Sequence, residues 1–404
     1  MKTVGIVAEY NPFHFGHEYH INKTRELVGE ECAVICAMSG DFVQRGEAAM
    51  YTKFARAEAA VRGGADLVLE LPAPWALSSA EGFARGAAAL LSAAGAQYIS
   101  FGSEAGDCAR LSTLADMLTA PDMNEKIKAE LSQDASLSYA LARRKAVEKE
   151  NAALAELLDS PNNILAVEYL KAIRTLALDI TPLTVERCGA GHDAQASDTH
   201  ISSAMEIRRK IAQGEMVERL VPEAVGAVYA AEREWGRELA ASDAMELCVL
   251  SRLRMLPKEA FLALPDAEGG AGARLYEAAR TQPTLDGVMS AAKTKRYALS
   301  RIRRMTMCAA LGITADMAEG TPPYIRVLAA NERGCAVLRE LNDRENGLPV
   351  ITKPAAVKSL SAKCTQVFAV GASAHDLYTL AFAAEQERKG GNDWKTSPKI
   401  VKNP

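Results

Sequence analysis

Short apolar runs alternate with longer amphipathic stretches through the first half of the chain. Thr3 to Ala8, Cys32 to Met38, Leu67 to Leu71 and Tyr98 to Phe101 have the length and continuity of strands buried on both faces. Between them the apolar positions take helical spacing, over His17 to Val28, Thr52 to Arg62 and Ser79 to Ala94. Gly63-Gly64 and Gly95 stop the last two. Thr181 to Glu186 predicts a fifth strand. This βαβα order predicts an α/β fold over residues 1–215, a Rossmann-like, doubly wound parallel sheet with helices on both faces. In such sheets ligands sit at the carboxyl ends of the strands, so the loop Glu9 to Gly16 is the first place to look for chemistry.

The pattern changes further along. Asp122 to Leu158 is a charged helical excursion, closed by the breaker Ser160-Pro161-Asn162-Asn163. Beyond Gly214, helical spacing dominates from about Pro222 to Leu311, interrupted by the loop Pro265 to Gly272. Strand-like runs return at Tyr324 to Ala329 and Pro349 to Thr352, and Gly390 to Pro404 is polar and poor in pattern. Residues 216–404 are therefore expected to form a mainly helical C-terminal domain with a small appended α/β piece.

Composition narrows the setting. No hydrophobic segment with a small-residue cleavage site follows Met1-Lys2, and the uncharged stretch Gly86 to Ser103 reads as helix, turn and strand rather than a membrane span. Eight cysteines are scattered singly, without zinc spacing, which predicts reduced, mostly buried thiols and a cytoplasmic location. The net charge of −4 means that any nucleic-acid site must be a local patch. Neither a membrane nor DNA is an expected partner.

The sharpest chemical signal is Tyr10-Asn11-Pro12-Phe13-His14-Phe15-Gly16-His17, directly after the first strand. Pro12 stiffens the loop, and Gly16 lets backbone approach a ligand. His17 opens a helix whose free N–H groups favour an anion. Three residues apart across this turn, His14 and His17 can both address one phosphate and stabilise charge developing at the α-phosphate of ATP. A lone loop histidine is usually structural; a strand–HxGH–helix arrangement is much less often accidental.

These residues carry a resemblance. Val4 to Ile21 resembles the HxGH nucleotidyltransferase superfamily. The segments Ser39 to Glu47, Ala65 to Pro72, Phe101-Gly102-Ser103-Glu104, Ser160 to Leu165, Glu186 to Asp193 and Ile201 to Ala204 resemble, in order, one family within it: bacterial tRNA(Met) cytidine acetate ligase. The resemblance implies activation of acetate by ATP as acetyl-adenylate, then acetylation of N4 of the wobble cytidine of elongator tRNA(Met). It implies catalytic roles for His14, His17 and Asp41. It implies ATP contacts from Val7, Ala8, Glu9, Tyr10, Asn11, Pro12, Phe13, His14, Phe15, Gly16, His17, Glu18, Tyr19 and His20, and from Gly102, Asn162, Arg187, Ser202 and Ser203. Magnesium is expected with the triphosphate, although no ligand cluster marks a site for it.

Each of these positions also has a plain reading. Gly102 offers bare backbone to an adenine or ribose, or simply ends a strand. Asn162 is either a nucleotide contact or a helix cap. Arg187 leaves the fifth strand where a guanidinium can grip phosphate, or is merely solvated. Ser202 and Ser203 at a helix start suit a triphosphate cradle, but Arg208 follows one residue later than the superfamily pattern places its arginine. His20 lies one turn beyond His17 and reads equally as a packed helix residue. His192 and Asp193, in a glycine-rich loop, form a weaker candidate base. Gln44 and Arg45, with Asp41, face the same crevice; Arg45 suits the acetate carboxylate or a tRNA phosphate.

Lys293, Lys295, Arg296, Arg301, Arg303 and Arg304 crowd one segment around Tyr297 with no acid among them. On a helix this makes a basic ridge for RNA, with Tyr297 free to stack on a base; the plain reading is a solvated charged face. Two other functions fit less well. A nucleotidyltransferase acting on a small metabolite leaves the ridge unexplained, and a non-catalytic ATP-sensing RNA-binding protein leaves the HxGH motif unexplained.

Overall fold

Strand β2 (Ala33–Ser39) shows why its run is apolar throughout. Ala33, Ile35 and Ala37 enter one hydrophobic core while Val34, Cys36 and Met38 enter another, so both faces of the sheet are covered. The computed structural model describes residues 1–134, 136–187, 202–239, 243–343 and 347–402. The other strands are β1 (Thr3–Ala8), a small hairpin of β3 (Phe42–Val43) and β4 (Glu47–Ala48), β5 (Leu67–Leu71), β6 (Tyr98–Ser103), β7 (Thr181–Glu186), β8 (Ile325–Ala330), β9 (Val350–Ile351) and β10 (Lys399–Ile400).

The main sheet runs β10-β8-β5-β2-β1-β6-β7, with β9 also on β8. It is parallel except where β8 lies antiparallel to β5. Helix α1 (Phe15–Val28) and α2 (Lys53–Arg62) pack on one face, and helices Ala80–Ala93 and Pro161–Thr175 on the other. The expected doubly wound parallel sheet is therefore present. Its order reverses between β1 and β6, the point at which open α/β sheets form their ligand crevice. The HxGH turn follows β1, and Gly102 lies on β6.

The last eighty residues form no separate α/β piece, because β8 and β10 extend the main sheet. Asn331 fixes β8 at one end, its N–H on the Asp66 carbonyl and its Nδ2 2.8 Å from Asp66 Oδ1. Arg326 fixes the other, opposite Glu70 in the strand register and 2.9 Å from its carboxylate. The helices between residues 243 and 311 build a third core around Leu253, Phe261, Leu275 and Ile302.

The thiols of Cys32, Cys36, Cys308 and Cys364 are buried, and those of Cys108, Cys248 and Cys335 partly so; all seven are free. Among the described residues, no helix is long and apolar enough to cross a membrane.

Candidate active site at the head of helix α1

His14 is the N-cap of α1 and is 7% exposed. Its Nδ1 accepts the Gly16 N–H at 3.0 Å, while His17 Nδ1 accepts the His14 N–H at 3.2 Å, a reciprocal capping box built from two imidazoles. Each Nδ1 is thereby an acceptor, so each neutral ring carries its proton on Nε2. The rings lie 4.0 Å apart, centroid to centroid. Burial, reinforced by Arg187 and Arg208, pushes His14 down to about 4. Burial, then the neighbouring His14, His20 and Arg187, holds His17 well below the ordinary imidazole value. At neutral pH the pair is uncharged and presents two Nε2–H donors.

The loop before this pair is fixed from every side. Tyr10 Oη lies 3.2 Å from Cys36 Sγ, and Asn11 Oδ1 accepts the Met50 N–H at 2.8 Å. Phe13 is fully buried, and its N–H donates to Tyr229 Oη at 2.8 Å. A Cβ at Gly63 would sit 2.3 Å from the Phe13 ring, so the glycine that ends α2 is also required by this loop. Val7, Ala8, Gly16, Glu18 and Tyr19 are partly buried, Pro12 is buried and Phe15 is 37% exposed. His20 Nε2 lies 3.0 Å from Ser100 Oγ on β6, which also meets Thr24. Burial, with Arg187, lowers His20 to about 4.

Across the crevice, Gly102, Arg187 and Asn162 stand together. A Cβ on Gly102 would press against Arg187 Cγ at 3.2 Å, and Arg187 Nη1 is 3.5 Å from Asn162 Oδ1. Asn162 is not a cap: the N-cap of its helix is Ser160, and the Asn162 amide donates to Glu104 Oε1 at 2.6 Å. Glu104 Oε2 takes the Asn163 N–H at 3.0 Å, and Asn163 Oδ1 in return accepts from the Glu104 and Ala105 N–H groups. Arg208, displaced by one residue in sequence, still reaches the HxGH loop, donating to the Asn11 carbonyl at 2.7 Å. Ser203 caps the helix Ala204–Ala212 with its hydroxyl on the Glu206 N–H, and Ser202 is buried beside it. Two guanidiniums thus flank two neutral imidazole donors, an arrangement suited to a polyanion. His192 and Asp193, with Cys188 to Gly191 and Ile201, lie outside the described residues.

Asp41 corrects the sequence reading. It is 3% exposed, with Oδ1 on the Lys53 N–H at 2.9 Å and Oδ2 2.9 Å from His375 Nδ1. Both oxygens are taken by the protein, so it does not stand in the crevice as a reactive carboxylate. It belongs to a buried ionic cluster in which Lys53 Nζ is 2.8 Å from Glu70 and 2.9 Å from Asp393, while Arg326 grips both Asp393 oxygens at 2.7 Å. Gln44 is tied by its N–H to Glu9 Oε1 at 2.9 Å and by its side chain to the Ser78 carbonyl at 3.2 Å. Arg45 is exposed at the tip of the β3–β4 hairpin, close enough for its charge to act on Glu9.

The basic segment is also rearranged. Lys293 to Ala298 is not helical; the helix is Leu299–Leu311. Tyr297 is buried with its hydroxyl on the Gly269 carbonyl, so it offers no stacking face. Arg301 donates to the Asp266 carbonyl at 3.0 Å, Arg303 pairs with Glu47 at 2.6 Å, and Arg304 is 8% exposed beside Asp266. The compensating acids come from distant sequence. Lys293, Lys295 and Arg296 remain exposed.

Sequence reasoning missed Arg56, Tyr229 and His375. Arg56 is fully buried and donates to the carbonyls of Glu9 at 2.5 Å, Tyr51 at 3.0 Å, Ser39 at 3.2 Å and Gly40, clasping the ends of β1 and β2. Lys53 and Arg56 on an otherwise alanine-rich helix were the available signal. A cavity of about 620 Å³ beside α2 contains none of residues 7–20.

Comparison with known proteins agrees with this geometry. The HIGH Nucleotidyl Transferase family matches residues 1–393. The tRNA(Met) cytidine acetate ligase of Acetivibrio thermocellus is 33% identical over 98% of both chains. That of Syntrophotalea carbinolica is 36% identical over 87% of this chain and 85% of its own. Among solved structures, Thermotoga maritima TmcAL without ligand superposes with a TM-score of 0.90 at 29% identity, covering both chains fully. The same protein bound with alpha-thio ATP gives 0.89. With its HxGH turn, its sheet and its full-length relatives in agreement, the chain belongs to the tRNA(Met) cytidine acetate ligase family of HIGH nucleotidyl transferases.

Proposed function

We propose that the chain is an ATP-dependent ligase that forms acetyl-adenylate from acetate and transfers the acetyl group to N4 of the wobble cytidine of elongator tRNA(Met). The observation that carries this reading is the pair of neutral Nε2–H imidazoles at the switch point of the sheet, flanked by Arg187 and Arg208. The names of the full-length relatives supply the acceptor, and the Thermotoga protein's complex with alpha-thio ATP supports the nucleotide.

An acetate oxygen attacks the α-phosphorus, and pyrophosphate leaves in line. His14 and His17 donate to the oxygens on which charge grows, and the two guanidiniums hold the departing phosphates. The cytidine amine then attacks the acetyl carbonyl and AMP departs. Among the described residues no group of three His, Cys, Asp or Glu side chains is placed to hold a metal ion; magnesium would come with the triphosphate and would offset its charge. Val7 to His20, with Gly102, Asn162, Arg187, Ser202 and Ser203, form the nucleotide side. Gln44 and Arg45 form the acetate or tRNA side, and Lys293, Lys295 and Arg296 form the RNA surface. In this division residues 1–215 carry the adenylation chemistry and residues 216–404 the RNA contacts.

A pyrophosphate-exchange assay over a panel of small acids, with and without tRNA, tests the reading. Acetate-dependent exchange and acetylated tRNA are expected. Exchange driven instead by a phosphorylated metabolite, or no exchange at all, would select one of the other functions.

A further inference from the structure

The HxGH turn is fastened by a side chain from the other half of the chain. Phe13 and Tyr229 are both fully buried, and the Phe13 N–H donates to Tyr229 Oη at 2.8 Å across 216 residues of sequence. A buried N–H needs an acceptor, and among the described residues no backbone carbonyl supplies one here. Phe13 is also the residue through which both histidines are placed. It directly precedes His14, whose own N–H meets His17 Nδ1 at 3.2 Å, and its ring lies 5.5 Å from the His17 ring, centroid to centroid. Tyr229 is itself held firmly. It lies on the helix Glu223–Glu234, and its ring stacks on that of Tyr51 at 4.1 Å with 7° between the planes. Tyr51 precedes Thr52, the N-cap of α2, and its hydroxyl donates to Glu238 at 2.5 Å. Of the two stacked phenols, it is the Tyr229 hydroxyl that meets the HxGH turn.

We infer that Tyr229 is a positioning residue for adenylate formation: through the Phe13 amide it sets where the Nε2–H groups of His14 and His17 stand, so that the C-terminal half completes the adenylation site. The inference rests on the ligase reading given above. Tyr229 acts through Phe13 and takes no part in the bonds that change. Donors to a growing charge must stand where the oxygens will be in the transition state, and a displacement of about 1 Å can cost about a hundredfold in rate. Burial raises the Tyr229 phenol above its ordinary value, so at neutral pH its oxygen is an un-ionised acceptor for the Phe13 N–H. Residues 1–215 hold every group proposed to touch ATP, yet the turn that carries the two histidines is fastened by residue 229.

The test is Tyr229→Phe, which keeps the ring and its stack on Tyr51 and removes the acceptor alone. Tyr51→Phe is the control, taking one hydroxyl from the other member of the stack while leaving the Phe13 bond in place. Both are studied in the full chain by ATP binding, urea denaturation and single-turnover acetyl-adenylate formation at saturating ATP and acetate. In Tyr229→Phe the saturated rate is expected to fall by about tenfold to a hundredfold, with the ATP dissociation constant within about threefold of wild type. The acid limb of the rate should also move to higher pH, because a loosened turn admits water to His14 and relieves the burial that lowers it. Tyr51→Phe should keep the saturated rate within about twofold, and the wild-type pH profile, even if it loses as much stability to urea. A rate loss shared equally by the two variants would make the stack a general support and overturn the inference. So would a wild-type saturated rate in Tyr229→Phe, or a loss confined to ATP affinity. Rapid hydrogen exchange at the Phe13 amide of the wild-type protein would show that the bond is not held, and would overturn it without any variant. Wild-type protein that forms no acetyl-adenylate would instead remove the ligase reading itself, so the two failures are distinct.

Discussion

Two clusters of buried titratable groups stand near the carboxyl ends of neighbouring strands and reach opposite charge states. At the head of α1, His14, His17 and His20 are neutral because burial removes water and the nearest charges, Arg187 and Arg208, are positive. Beyond β2 and β5, Asp41, Lys53, Arg326 and Asp393 are buried just as deeply but remain charged, because each meets an opposite charge, and Asp41 shifts its partner His375 toward the charged form. Burial opposes the charge on Asp393, yet Lys53 and Arg326 hold its carboxyl down to about 2. Burial alone therefore does not decide charge; the sign of the nearest neighbour does. The consequence is a division of labour. In the first cluster the Nε2 groups of His14 and His17 meet no protein acceptor among the described residues, whereas the second has committed its groups to one another and joins the C-terminal segment to the sheet.

The largest expected effect comes from breaking the second cluster. Lys53→Met leaves Asp41, Glu70 and Asp393 short of a shared cation at a fully buried site. Loss of one partner from a buried ionic group costs about 3–5 kcal/mol, which urea denaturation will read directly. A loss below about 1 kcal/mol, within the range of an exposed ion pair, would mean that the cluster is better solvated than its geometry implies.

Next in size is the loss of a donor from the first cluster. His14→Ala and His17→Ala should each lower adenylate formation by roughly a hundredfold or more while weakening ATP binding modestly. The fold should lose only about 1 kcal/mol, the usual contribution of a helix cap. Adenylation at the wild-type single-turnover rate in either variant would return the histidines to a purely capping role.

The clusters also differ in their response to acid. His14 and His20 fall to about 4 when folded. Their folded values lie below the unfolded value of about 6.5, so their stabilisation is present above that pH and is lost as pH falls toward 4. His375 is shifted upward by Asp41 despite its burial. Its contribution is present below about pH 6.5 and is lost only as pH rises through its folded value. His20→Gln isolates the first effect. Its stability should fall less steeply than that of the wild type between pH 6.5 and 5, by at most about 1.4 kcal/mol per pH unit. Parallel pH profiles would mean that His20 is charged when folded.

The same contrast explains what the sequence disclosed. The strands were legible because burial on both faces makes them continuously apolar, and the HxGH turn because its groups lie within four residues. Lys53 and Asp393 were opaque as partners, being 340 residues apart. The place of β8 in the sheet, between β5 and β10, was hidden because an apolar run does not state which strand it will join. Asp41 was misread for a related reason: its position after β2 suited the crevice, but His375, the residue that occupies it, comes from a helix near the end of the chain.

The basic segment provides the smallest expected effect on stability and the sharpest test of the division between committed and uncommitted charge. Within six clustered cations, Arg301, Arg303 and Arg304 are bound to Asp266, Glu268 and Glu47, whereas Lys293, Lys295 and Arg296 are exposed. Replacing the exposed three by alanine should leave stability within about 0.5 kcal/mol, since surface charges contribute little to folding. Adenylate formation should persist, while tRNA affinity falls and its log–log salt slope flattens by about 0.7–0.9 for each phosphate that is no longer neutralised. Replacing Arg301, Arg303 and Arg304 should destabilise the protein, because the Asp266–Glu268 loop loses its donors and Glu47 on the hairpin loses its cation. Any change in the salt slope of that second variant would then be mixed with a change in fold. The measurement is a salt series of tRNA binding on both triple variants beside their urea midpoints. If the exposed set leaves the slope unchanged, the RNA surface lies elsewhere. If the paired set unfolds no more readily than wild type, its guanidiniums are not committed to the loop, and the contrast between the two halves of the segment fails.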